Sequence, residues 1–296
     1  MTNGFTPEPT TSMQAAPRPM YWAVRREIWE NRSVYIAPLI VAAVVLFGTF
    51  VSIATVPSNN VDPAKQRSRI VGPYTMAPAP IMLATFIVGM FYAVDALYGE
   101  RRDRSVLFWK SLPVSDQTTV LAKAAVPIAV LPAIAFLIGV VTQVIVLILS
   151  TVVLTGRGVS PAPLWANARP LQEPLVQLYG LTVHALWFAP IYAWLLLVSA
   201  WAKRAAFLWA FLPWFAVMAL ERIFGGDAIT SMVKYRFVGA MQEAFASSST
   251  STHPVVKLSH LTPGRYLSSA GLWAGLIFAA VCLVLAVKLR RDREPI

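Results

Sequence analysis

Cysteine is almost missing from this 296-residue chain. Cys282 stands alone, so no disulfide can form within the chain, and its place inside an apolar run reads as a small packing residue rather than a reactive thiol. Charge is also scarce. Asp, Glu, Lys and Arg make 13% of the residues, against about 25% in a soluble domain. Acidic residues are the rarer sign, 14 against 25 basic, for a net charge of +11. That excess does not point to nucleic acid. The basic residues sit at the ends of apolar runs, where they meet anionic headgroups, and are not gathered on one soluble face. There is no G-x-x-x-x-G-K-[ST] phosphate loop and no polar stretch long enough for a nucleotide-binding domain, so the chain does not bind ATP in that way. His-Glu-x-x-His, paired Asp and Ser/His constellations are missing, which argues against an enzyme. Met1 to Pro19 is rich in Pro and Thr and lacks an apolar signal-peptide core; it reads as a disordered cytoplasmic tail.

Apolar residues are abundant, at 57%. A membrane-spanning helix needs about 20 mainly apolar residues, and six stretches qualify: 34–56, 76–98, 124–154, 178–201, 205–224 and 269–289. The third is long enough to tilt, and Pro213 predicts a kink in the fifth. The expected fold is therefore all-α and polytopic. With the N-terminus inside, the inner segments collect Arg18, Arg25, Arg26 and Arg32, then Arg101, Arg102, Arg104, Lys110 and Lys123, then Lys203 and Arg204, then Lys288, Arg290, Arg291 and Arg293. That is fifteen of the 25 basic residues in the shorter loops, which predicts cytoplasmic termini, including a 291–296 tail, in a cell membrane of the bacterial inner type.

Two further helices are expected beside the spans. Over 20–33, apolar Tyr21, Trp22, Val24, Ile28 and Trp29 alternate with Arg25, Arg26, Glu27 and Glu30, and Tyr21, Val24, Ile28 and Trp29 gather on one side, as in an amphipathic helix lying at headgroup level. Between the fifth and sixth spans, Ile229, Met232, Val233, Phe237, Ala240, Met241, Ala244 and Phe245 recur at helical spacing, predicting an external or re-entrant helix. A Ser/Thr run over 247–252 then serves as a flexible connector. The outer segments at 57–75 and 155–177 read as polar and Gly/Pro-rich loops.

The loop between the second and third spans is the most informative segment. Glu100, Arg101, Arg102 and Arg104 close the second span; Val106, Leu107, Trp109 and Leu112 form a short apolar set suited to a small flat helix; Pro113 stops it; and Ser115, with Thr118 behind it, caps the next helix. This order, with Glu100, then Ser105 to Lys110, then Ser111-Leu112-Pro113-Val114-Ser115, then Lys123, resembles the inner loop of type-2 ABC exporter permeases. The helix before the first span and the outer helix before the sixth resemble that family too, so the likeness covers most of the chain, with the six-span permease domain at 34–290. It implies a coupling helix, with Glu100, Arg101, Arg104, Leu107, Trp109, Ser111, Leu112, Pro113, Val114 and Ser115 facing a separate ATP-binding subunit. It also implies two ATPase copies carrying ATP and Mg, a homodimer of permeases or a heterodimer with a similar one, and a path faced by the first, second and fifth spans.

Other polar positions are weaker signals. Asp95 lies near the end of the second span, where pairing with Arg101 or Arg102 competes with a functional role. His184 reads as a packed or hydrogen-bonded helix-interface residue, and His253 and His260 lack the companions of a metal site. Gly271-x-x-x-Gly275 is a candidate dimer face. Tyr92, Tyr98, Trp201 and Trp273 read as interfacial belt residues. The competing functions are a membrane-embedded enzyme, which needs converging polar residues beyond Asp95, His184 and Gln143, and a non-transporting sensor or assembly subunit.

Overall fold

A computed structural model describes residues 19–55, 63–105, 114–246 and 258–292. A first helix, α1 (Pro19–Glu30), is followed after a break at Asn31 by α2 (Ser33–Ala54). Then come α3 (Pro63–Met76), α4 (Pro78–Asp95) and α5 (Tyr98–Arg102). After residues 106–113 come α6 (Asp116–Ala125), a π-helical turn (Val126–Val130) and α7 (Leu131–Gly156). Then follow α8 (Ala162–Ala168), α9 (Gln172–Trp201), α10 (Ala206–Phe224), α11 (Ala228–Ala244), α12 (Pro263–Ser268) and α13 (Ala270–Asp292). Among the described residues the only β pairing is an isolated bridge between Phe245 and Leu261.

Among the described residues, six helical stretches are long and apolar enough to cross a membrane: Ser33–Ala54, Arg69–Arg102, Asp116–Gly156, Gln172–Trp201, Ala206–Phe224 and Ala270–Asp292. This is the architecture of a multi-pass membrane protein, and every expected span is present. The second and third run further than the hydropathy pattern suggested, because polar turns prolong each helix past its apolar core. Ser115 starts the third: its Oγ accepts from the Thr118 amide at 3.1 Å, satisfying one of the first free N–H groups. Pro127 and Pro132 cannot donate within that helix, and the π turn at Val126–Val130 absorbs the lost bonds without ending the span. Gly225, at φ 75°, ends α10 in a conformation that costs glycine nothing.

The fourth span is central and the fifth peripheral: 56% of the residues in the apolar window of Gln172–Trp201 are buried, against 6% for Ala206–Phe224. Trp187, Tyr192, Leu195 and Leu196 of α9 have no more than 1% exposure. Gly89 of α4 lets this core close, since a Cβ there would lie 3.1 Å from the Tyr192 ring and 3.4 Å from Pro127.

The segments read as loops at 57–75 and 155–177 hold short helices instead. Ile70 and Tyr74 of α3 and Leu164 and Ala168 of α8, each pair one turn apart, bury against Val146 and Leu154 of α7. Two anchors per helix are too few to register as periodicity. Within the spans, half-buried Gln177 donates to Gln143 at 2.6 Å and Gln143 to the Tyr74 carbonyl at 3.4 Å, so the buried Gln143 amide is partnered on both sides.

Candidate functional site: a buried charge cluster

Opposite charges alternate through the protein at the α1 end of the bundle. On α1, Glu27 is 1% exposed. Its carboxylate accepts from Lys123 Nζ at 2.9 and 3.1 Å, from Arg26 at 2.7 Å and from the Tyr92 hydroxyl at 2.7 Å. Lys123, 3% exposed, also lies 3.1 Å from Glu100, which Arg26 approaches at 3.5 Å. From the last span, Arg290 pairs through Nη1 with Glu100 and donates through Nε to Asp116 at 3.0 Å. Three carboxylates, Glu27, Glu100 and Asp116, thus face three cations, Arg26, Lys123 and Arg290. Burying charge is costly unless it is paired, and here each carboxylate has a cation within 3.1 Å, although Glu100 Oε1 is met by ion pairs without a hydrogen bond.

Burial alone would raise the Glu27 carboxyl, but Lys123, Arg26 and Tyr92 outweigh it and hold the group below its ordinary value of 4.5. For Arg26, burial pulls downward, and Glu27, Glu30 and Glu100 more than compensate, so the guanidinium is held above its usual range. Both groups stay charged at neutral pH.

The placement is specific to one loop. Glu100 stands where the chain enters the loop between the second and third spans, and Asp116 where it leaves. Arg290 joins the two stems, while Glu27 and Lys123 fasten α1 to the same point. Beside the cluster a cleft of about 600 Å³ opens between α1, α4 and α5, with Glu30, Asn31, Phe91, Asp95, Asp103 and Ser105 in its wall.

Of the candidate coupling residues, Glu100 belongs to the cluster. Arg101 turns into the bundle instead, donating to the carbonyls of Ser199 at 2.6 Å and Ala202 at 2.7 Å. The Ser199 hydroxyl accepts from the amides of Leu97 and Tyr98 at 2.9 and 2.8 Å, so this corner is locked to the fourth span. Arg104 is exposed and left-handed at φ 57°, a conformation that costs a non-glycine residue about 1 kcal/mol and turns the chain off the helix axis. Val114 is half-buried, and Ser115 is the exposed cap already described. Leu107, Trp109, Ser111, Leu112 and Pro113 lie outside the described residues, with most of the helix expected there. The tail at 1–18 and the Ser/Thr connector at 247–252 also lie outside them.

The face of α1 differs from the sequence reading. Val24 and Ile28 are half-buried, whereas Trp22 and Trp29 point outward together. Tyr92 is no belt residue: it is buried and bonded to Glu27. Asp95 is exposed, 4.0 Å from Arg102. His184 is buried, 3.2 Å from the Tyr192 hydroxyl and packed against Phe86 and Phe188, the hydrogen-bonded helix-interface role expected of it. The Gly271/Gly275 face is already filled. A Cβ at Gly271 would lie 2.7 Å from the Tyr235 ring and one at Gly275 would overlap the Arg236 guanidinium, so these glycines seat α11 rather than a second copy. Arg236 also lies over the Trp187 ring at 4.8 Å and donates to the Gly271 carbonyl at 3.1 Å.

Sequence reading missed Glu27 and treated Arg290 as a headgroup anchor. The available signal was Glu27's position on α1, roughly opposite Trp22, Arg25 and Trp29 on a helical wheel. Among the described residues no group of three His, Cys, Asp or Glu side chains is arranged to hold a metal. Compared with known proteins, the chain matches no protein-family model and no curated sequence.

Proposed function

We propose that this chain is the transmembrane permease subunit of an ATP-binding-cassette exporter, driven by ATP that a separate subunit hydrolyses. The observation that carries the reading is the position of the charge cluster at both stems of the one loop whose sequence resembles the coupling segment of type-2 exporters. Glu100 and Lys123 are two of the residues in that resemblance, and both are members of the cluster.

A force on the loop would meet a base that does not yield piecemeal, because separating any one pair leaves an uncompensated buried charge. The displacement would therefore pass to α1 and to the second, third and sixth spans together. On this reading the charged end faces the cytoplasm with both termini. Two ATPase copies close on ATP and shift the loops of two permeases, which change between inward-open and outward-open states. ATP biases those states through its differential affinity for the closed partner. The apolar faces left open on the first and fifth spans, with Ile40 and Phe47 on one and Leu208 and Phe215 on the other, suit contact with the second permease.

The test is copurification of the full chain in mild detergent, followed by reconstitution with what coelutes. The proposal expects a nucleotide-hydrolysing chain and ATP-dependent substrate movement, with Glu100→Ala uncoupling hydrolysis from movement while membrane insertion is retained. An ATPase that binds but moves nothing would make the chain a sensor or assembly subunit, and the absence of any ATPase would reject the assignment.

A further inference from the structure

Adjacent arginines on α1 have opposite surroundings. Arg26 is enclosed by carboxylates, as described above. Arg25 makes no hydrogen bond and no ion pair with any described residue; its contacts are with two indole rings, 5.2 Å from Trp22 and 4.4 Å from Trp29. The spacing of 22, 25 and 29 places the three on one helical face. Tyr21 packs edge-on against Trp22 at 5.3 Å and steadies the first ring. The guanidinium carbon lies over both rings, and no described residue accepts from its N–H groups. A planar fork held in place with free donors matches the oxygens of a phosphate.

From this geometry we infer that Arg25, held between Trp22 and Trp29, is a receptor for the phosphodiester of an anionic phospholipid. The occupant is a lipid because of what surrounds the fork. Trp22 and Trp29 are 58% and 63% exposed, Tyr21 and Met20 are exposed as well, and a membrane span starts at Ser33, just beyond exposed Arg32. Amphipathic rings beside basic groups at the end of a span suit the headgroup layer. The opposite face of α1 is fixed by Glu27 to Lys123 and Tyr92. The receptor is therefore held at one depth, unlike that of a free surface helix, and it lies in the leaflet that meets the α1 end. The inference stands whether or not the chain transports anything.

Native mass spectrometry of the detergent-purified full chain tests it, with phosphatidylglycerol and phosphatidylcholine of matched acyl chains titrated in parallel and inorganic phosphate in a separate arm. The wild type should retain phosphatidylglycerol in preference to phosphatidylcholine. Arg25→Gln should reduce that preference about fivefold, the effect of one basic residue at an anionic surface. Arg25→Lys should recover only part of it, because an ammonium has no fork. The pair Trp22→Leu and Trp29→Leu should weaken it with Arg25 still present, and Arg222→Gln, on an exposed residue at the other end of the bundle, should change nothing. An unchanged preference in Arg25→Gln would overturn the inference, as would inorganic phosphate competing with the lipid at equal concentration.

Discussion

Replacing Lys123 with Met tests the cluster most sharply. Methionine keeps most of the apolar stem and removes the ammonium alone. Lys123 is 3% exposed, and its Nζ lies 2.9 and 3.1 Å from the Glu27 oxygens and 3.1 Å from Glu100. At an effective dielectric constant of about 20, each such contact has a gross Coulomb energy of roughly 5 kcal/mol. Desolvation offsets most of that in the wild type. Deleting the cation removes the compensation and leaves the carboxylates buried, which costs about 3–5 kcal/mol. The lower end applies, because Arg26 and Tyr92 still serve Glu27, and Arg290 still serves Glu100. Adding Glu27→Gln restores the charge balance, with Glu100 and Asp116 facing Arg26 and Arg290. The double variant should therefore recover much of the loss, giving a coupling of about 2 kcal/mol in a double-mutant cycle. Reversible unfolding of the detergent-solubilised full chain supplies the four free energies. Additivity within about 0.5 kcal/mol, or a single variant as stable as the wild type, would refute the view that the cluster is one charge-balanced unit.

Other expectations follow from the same contacts. Because the Glu27 carboxyl is held below 4.5, its contribution is complete above that value and is lost as pH falls through the lowered one. Hydrogen-exchange protection factors over residues 19–30, corrected for the intrinsic pH dependence of amide exchange, should accordingly be equal at pH 7 and pH 5 and fall only below the ordinary carboxylate range, a dependence that Glu27→Gln abolishes. Gly275→Leu should drive Arg236 from its seat and expose the 228–244 helix to protease, with the six spans still inserted. Tyr192→Phe removes the hydroxyl facing His184 and should destabilise the protein by about 1–3 kcal/mol, the cost of leaving a buried polar group unpaired.

The spans were legible in the sequence because each is a long apolar run with charged ends, and hydropathy needs no knowledge of neighbours. The helix before the sixth span was legible for a similar reason: Ile229, Met232, Val233, Phe237 and Ala240 repeat at helical spacing. α3 and α8 were not, since each is anchored by two residues only. The charge cluster was half legible. Glu100 and Lys123 stand out in the loop pattern, but Glu27 and Arg290 lie roughly 70 residues before and 190 after Glu100, and only tertiary packing reveals that they share its partners. Arg290 also carries the same headgroup-anchor signature as Arg291 beside it, although one is 7% exposed and the other open to solvent. Gly271 and Gly275 were misread for a related reason: a small-residue pair announces close approach without naming the visitor, which here is Tyr235 with Arg236.

The central claim is that the loop between the second and third spans receives its partner ATPase. Photo-crosslinking from that loop in intact membranes tests it directly, with the reactive side chain placed at Val114 and, as a control, at Arg222 on the opposite end. The account predicts that a phosphate-loop ATPase becomes attached at position 114 and not at 222. Attachment at 222, or no ATP-binding protein at 114 while the full chain is folded and inserted, would contradict it.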